Sequence, residues 1–118
     1  MSSLNAFGAI LTYAIEMEGK LREYYKGVDD ARVNDSEKRR VTLERVRREN
    51  VTEIKLEPIE GLDEADYVFD WSDTSSEGQA VNESAAAQFY EDVAPKINVR
   101  EAQRALERCA KQHRALTI

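Results

Sequence analysis

Glu18–Tyr25, EGKLREYY, is written a second time as Glu83–Tyr90, ESAAAQFY. Each copy reads Glu, six residues, Tyr, with a second aromatic just ahead of the tyrosine (Tyr24, Phe89). Seven residues make close to two turns of an α-helix, so the Glu and the Tyr share one face. A carboxylate and a phenol on an inward helix face are costly to bury without a purpose. Two such faces, 65 residues apart, point to a duplicated helix pair.

Working outward, the first copy lies in a helical pattern over about 3–27. Leu4, Phe7, Leu11, Ala14, Leu21 and Val28 form its stripe, polar only at Glu18 and Tyr25, with Ser3 as N-cap and Gly27 at its end. Asn34-Asp35-Ser36-Glu37 reads as a capping box with Val33 as its staple. It predicts a second helix over about 35–57, stopped by Pro58, with a thin stripe of Leu43, Val46, Asn50, Glu53 or Ile54, and Leu56. Residues 58–75 have no helical period. Their aromatics Tyr67, Phe69 and Trp71 alternate as in an edge strand or as residues lying across helices. The third helix is expected over about 76–94, with Ser75 as cap and Val81, Ala85, Ala86, Phe89 and Val93 inward. A second box, Asn98 to Glu101, opens a fourth helix over about 98–117.

A shift of 65 carries Glu18, Tyr24, Tyr25 and Val28 onto Glu83, Phe89, Tyr90 and Val93. A shift of 64 carries Asn34 and Glu37 onto Asn98 and Glu101, and one of 63 carries LERV (43–46) onto LERC (106–109). The drift falls in loops, which tolerate insertions. The expected fold is all-α: a four-helix bundle of two helix pairs joined by a long crossover.

Size and charge bound the function. The 118 residues amount to one domain, and 42% hydrophobic with 34% charged residues suits a soluble helical protein. No apolar run is long enough to span a membrane and no secretory signal is visible, so a cytoplasmic location is the expectation. A single cysteine, Cys109, excludes an intrachain disulfide and a thiolate metal cluster; in an apolar position it reads as a core residue. A net charge of −6 argues against nucleic acid as a partner. Lys38, Arg39, Arg40, Arg45, Arg47 and Arg48 crowd one segment, whereas no Lys or Arg occurs between Leu56 and Pro95. A basic helix facing an acidic partner, within the molecule or across a homodimer, accounts for that pattern better than an RNA-binding face. Glycine-rich phosphate loops, calcium loops and nucleophile–base pairs have no match in the chain.

The two E-x6-Y helices, the long crossover, and the LER-hydrophobe pattern on helices two and four resemble the ferritin-like superfamily, in particular its small rubrerythrin-type members. The resemblance spans most of the chain. It implies iron handling or oxygen and peroxide chemistry at a dinuclear iron or manganese site. Glu from helices one and three and Glu-x-x-His from helices two and four build that site in the family. Aligned through LERV and LERC, the family's Glu slots fall on Asn50 and His113, and its His slots on Glu53 and Leu116. Neither Glu-x-x-His is present. The inward set is then Glu18, Glu53, Glu83 and His113 as candidate metal ligands, with Tyr25, Tyr90 and Asn50 beside them. Oxygen ligands with one imidazole suit Fe²⁺ or Mn²⁺, one or two ions. The rival expectation is a metal-free bundle whose leftover polar groups hydrogen-bond one another and whose surface serves dimerisation or a protein partner. For His113, taken without the repeat, a surface position or a cap on the last carbonyls is the plainer reading.

Overall fold

A computed structural model describes residues 4–50 and 59–117. Four α-helices account for most of them: α1 (Phe7–Tyr25), α2 (Asp30–Asn50), α3 (Ser76–Val93) and α4 (Arg100–Arg114). Two short 3-10 turns, Glu64–Asp66 and Ala94–Lys96, complete the regular structure, and no strand occurs among the described residues. The all-helical class is the one expected. No helix is long and apolar enough to cross a membrane among the described residues.

The helices pack as two hairpins, α1 against α2 and α3 against α4, with α2 also meeting α4. Phe7, Ile10, Leu11, Ala14 and Leu21 fill the α1 side of the core, Leu43 and Val46 the α2 side. Ala86, Phe89 and Val93 from α3 meet Ala102, Ala105 and Leu106 from α4. Cys109 is buried, as its apolar position implied; burial, then the Glu18 charge, push its thiol up to about 12.

Helix starts correct the sequence reading in three places. α2 begins at Asp30, so the Asn34–Glu37 box and Val33 lie inside it. The cap is Asp29, whose carboxylate accepts from the backbone N–H groups of Ala31 and Arg32 at 3.1 and 3.2 Å. It satisfies the orphan donors of the first turn five residues before the box could. α1 begins at Phe7 with Ala6, not Ser3, in the N-cap position, and α4 begins at Arg100 without a side-chain cap. Gly27 does end α1, at a φ of 77° that favours glycine. Ser75 caps α3 as expected, accepting from Gly78 N–H at 3.1 Å. The end of α2 expected at Glu57, together with Pro58, lies outside the described residues.

The connection packs rather than pairs. Asn82 holds it, its amide oxygen accepting from Asp70 N–H at 2.8 Å and its amide nitrogen donating to Asp70 C=O at 3.0 Å. Tyr67 donates to Asp92 at 2.6 Å, Tyr24 donates to the Asp73 carbonyl, and Phe69 stacks on Trp71. Asn82 therefore takes the inward position that Val81 was expected to fill, and Val81 is 57% exposed. Val28, expected in the α1 stripe, also lies outside the core. Gly78 is required where this connection enters α3, because a Cβ there would sit 2.4 Å from the Asp73 carbonyl oxygen.

Candidate functional site

Each helix sends one acidic or basic side chain into the centre: Glu18 from α1, Arg39 from α2, Glu83 from α3 and His113 from α4. All but Arg39 are fully buried, and Arg39 is 5% exposed. His113 lies between the carboxylates, Nδ1 at 2.7 Å from Glu83 and Nε2 at 2.7 Å from Glu18. Arg39 Nε donates to the other Glu18 oxygen at 2.9 Å. Its Nη groups donate to Gln112 at 3.0 Å and to Ser36 Oγ at 3.1 Å.

The tyrosines of the repeat bind crosswise. Tyr90 donates to Glu18 at 2.5 Å, and Tyr25 donates to Glu83 at 3.2 Å. Arg32 donates to the Tyr25 hydroxyl and to Gln79, both at 3.1 Å. The Tyr90 ring stacks on the His113 ring. No buried side-chain nitrogen or oxygen among the described residues lacks a hydrogen-bond partner.

The protonation state follows from the geometry. Neutral imidazole has one N–H, whereas two short contacts to ionised carboxylates call for two. Burial pulls the His113 pKa down, but the Glu18 charge and hydrogen bonds to Glu18 and Glu83 outweigh it and raise the pKa. Burial pushes Glu18 up, and His113, Arg39 and Tyr90 more than reverse that, leaving it lowered. Burial, followed by the adjacent carboxylates, holds both phenols up as protonated donors. Two carboxylates, an imidazolium and a guanidinium sum to zero.

The structure thus brings together Glu18, Glu83, His113, Tyr25 and Tyr90 of the residues the sequence singled out. Asn50 is placed elsewhere: it is the last described residue of α2 and donates to the Val46 carbonyl at 2.9 Å. Glu53 lies outside the described residues. In the positions where α2 was expected to offer Asn50 and Glu53, it offers Arg39 and Ser36, eleven residues earlier in the case of Arg39. That spacing is about 16 Å along a helix and close to three whole turns. A slip of three turns keeps the same helix face inward, so the helical period alone could not reveal it.

A different signal could have. In a hairpin of helices, residues equally far from the turn face one another. Glu18 and Arg39 each lie about ten residues from the turn at 26–29, and Glu83 and His113 each about fifteen from the turn at 97–99. The misplaced helix start displaced that midpoint and hid Arg39.

For His113 to ligate a divalent ion, one ring nitrogen must keep a free lone pair, and the carboxylate oxygens must converge with it on one point. Here both His113 nitrogens are committed to carboxylates, and a guanidinium already balances Glu18. No group of three His, Cys, Asp or Glu among the described residues is disposed to hold a metal ion. Among the described residues, this arrangement leaves no imidazole lone pair free for iron or manganese. The donors answer one another.

No family model, no curated protein and no solved structure matches the chain.

Proposed function

We propose that this protein is a ferritin-like four-helix bundle whose core works without metal, and that it acts through its surface as a helical interaction module. One observation carries the reading: His113 bridges Glu18 and Glu83 through both ring nitrogens while Arg39 supplies the second positive charge. The four charges stand where the resemblance would place a cationic centre, and they neutralise one another. Their role is then structural, fixing the register of the two hairpins. Polar groups buried in a helical core are best attested in that use.

The partner that the charge distribution favours is a second copy. Among the described residues, the ion pairs of the α2 cations stay within α2 and its cap or reach α1 and α4, as in Arg40–Glu44, Arg39–Glu18 and Arg45–Glu101. None pairs with the acidic connection, so Arg48 stays available to the acidic surface of a neighbour.

Two measurements on one preparation test this. Anaerobic addition of Fe²⁺ or Mn²⁺ is expected to leave bound metal well below one equivalent and the melting temperature unchanged. One to two equivalents with metal-dependent stabilisation would overturn the metal-free core and restore the iron and oxygen reading. Sedimentation equilibrium is expected to show a dimer at about 0.05 M salt that weakens toward about 1 M. A monomer at both would sink the second-copy partner.

A further inference from the structure

The groove between α2 and α4 has a cavity of about 430 Å³, open to solvent along one side. Cavities of this size hold small organic ligands. Its apolar lining comes from Ala105, Ala115, Leu116 and the methyl of Thr42. Above that floor stand three cations, Lys38, Arg39 and Arg108, and a single acid, Asp35.

Two of those cations are uncommitted. Lys38 and Arg108 form no ion pair with any described residue, and neither does Asp35. The third is buried and only partly used. Arg39 lines the groove yet is 5% exposed, and its three hydrogen bonds go to Glu18, Gln112 and Ser36. A guanidinium carries five N–H donors, so two remain directed away from those partners. With Arg39 balanced by Glu18, the groove keeps one net positive charge: Lys38 and Arg108 against Asp35.

We propose that this groove binds a small organic monoanion, a carboxylate on a short apolar chain. Lys38 and Arg108 hold the carboxylate from the rim, and the remaining Arg39 N–H groups meet it at the base. The chain lies on Ala105, Ala115 and Leu116. Asp35 sets the preference for one negative charge over two and repels none of the chain. Arg39 is shared with the core network, whereas Lys38 and Arg108, which hold the carboxylate, lie outside it, so loss of binding in variants of those two reports on the groove and not on the core.

Isothermal titration with octanoate, octanol, octylamine and octyl phosphate tests the proposal directly. Octanoate is expected to bind with a Kd below about 1 mM, at least tenfold tighter than octanol or octylamine and severalfold tighter than octyl phosphate. Lys38 and Arg108 are exposed, so the K38E/R108E double variant should keep the wild-type melting temperature and lose octanoate at least tenfold. Asp35→Asn should tighten octanoate two- to fivefold and narrow the gap to octyl phosphate. Should the double variant fold poorly, Thr42→Phe, which fills the groove without touching a charge, should abolish binding. Equal affinity for octanol and octanoate, full binding by K38E/R108E or by Thr42→Phe, or no octanoate binding below about 1 mM would each overturn it.

Discussion

Arg39 and Arg40 are the same residue type, adjacent on one helix and about 100° apart around its axis. Arg39 is buried, with Glu18, Ser36 and Gln112 as its partners. Arg40 stands at the surface between Glu37 and Glu44. The contact lists look alike, but the energetics do not. A surface ion pair exchanges hydration for a contact of similar strength and contributes little. A buried one has already lost its hydration, so removing either partner strands the other in a medium that cannot solvate it. The difference between the two arginines is therefore a difference in what is left behind.

The widest expected gap is between Arg39→Leu and Arg40→Ala. Arg39→Leu leaves Glu18 without its guanidinium and should cost about 3–5 kcal/mol in urea unfolding. Arg40→Ala should leave the denaturation midpoint unmoved. Equal losses would mean that burial does not separate the two.

Removing the whole network sharpens the same point. Glu18→Leu, Arg39→Leu, Glu83→Leu and His113→Leu together strand no charge. The quadruple variant leaves the buried Tyr90 hydroxyl without its acceptor, so it should match the wild type to within about 2 kcal/mol. A quadruple variant less stable than Arg39→Leu alone would show that the network stabilises by more than its charge balance.

The crossed phenols divide less sharply. Tyr90→Phe removes a short, fully buried bond to Glu18 and should cost about 2 kcal/mol, the range for bonds to charged groups. Tyr25→Phe removes a longer bond to Glu83 at the Arg32 side and should cost about 1 kcal/mol. The reverse order would place the stronger coupling on the Glu83 side.

The smallest effects are those of pH. His113 has a raised folded pKa, so its contribution is complete below the unfolded value of about 6.5 and fades as pH rises through the folded value. Glu18 has a lowered pKa, so its contribution is complete above about 4.3 and fades as pH falls. Melting temperature should peak between those two ordinary values and decline on the alkaline side. His113→Gln should flatten the alkaline limb specifically. An unchanged alkaline limb in that variant would assign the titration to another group.

How much of this could be read from residues alone depended on how locally each signal was written. The all-helical class, the Ser75 cap, and Glu18, Tyr25, Glu83 and Tyr90 followed from spacing within single helices. His113 was found only through the repeat, by a register the structure does not keep: Arg39, 74 residues before it, is its counterpart rather than Asn50. Asn34–Glu37 has the chemistry of a helix start, but Asp29 caps the helix first. Val81 has the hydrophobicity of a core residue, but Asn82 is the one that can clamp Asp70. In both places a contact outside the local window decided between two reasonable choices.

The way the charges are shared between hairpins has one more consequence. Glu18 and Arg39 cancel within the α1–α2 hairpin, and Glu83 and His113 cancel within the α3–α4 hairpin. Each half is electrically self-contained before it meets the other. In the core, His113 to Glu18, Tyr90 to Glu18, Tyr25 to Glu83 and Arg39 to Gln112 then stitch the halves together. Such a protein is a natural subject for fragment complementation. A chain split within its long connection would yield two pieces that bring no stranded charge to their encounter, and whose shared imidazole recognises the missing half.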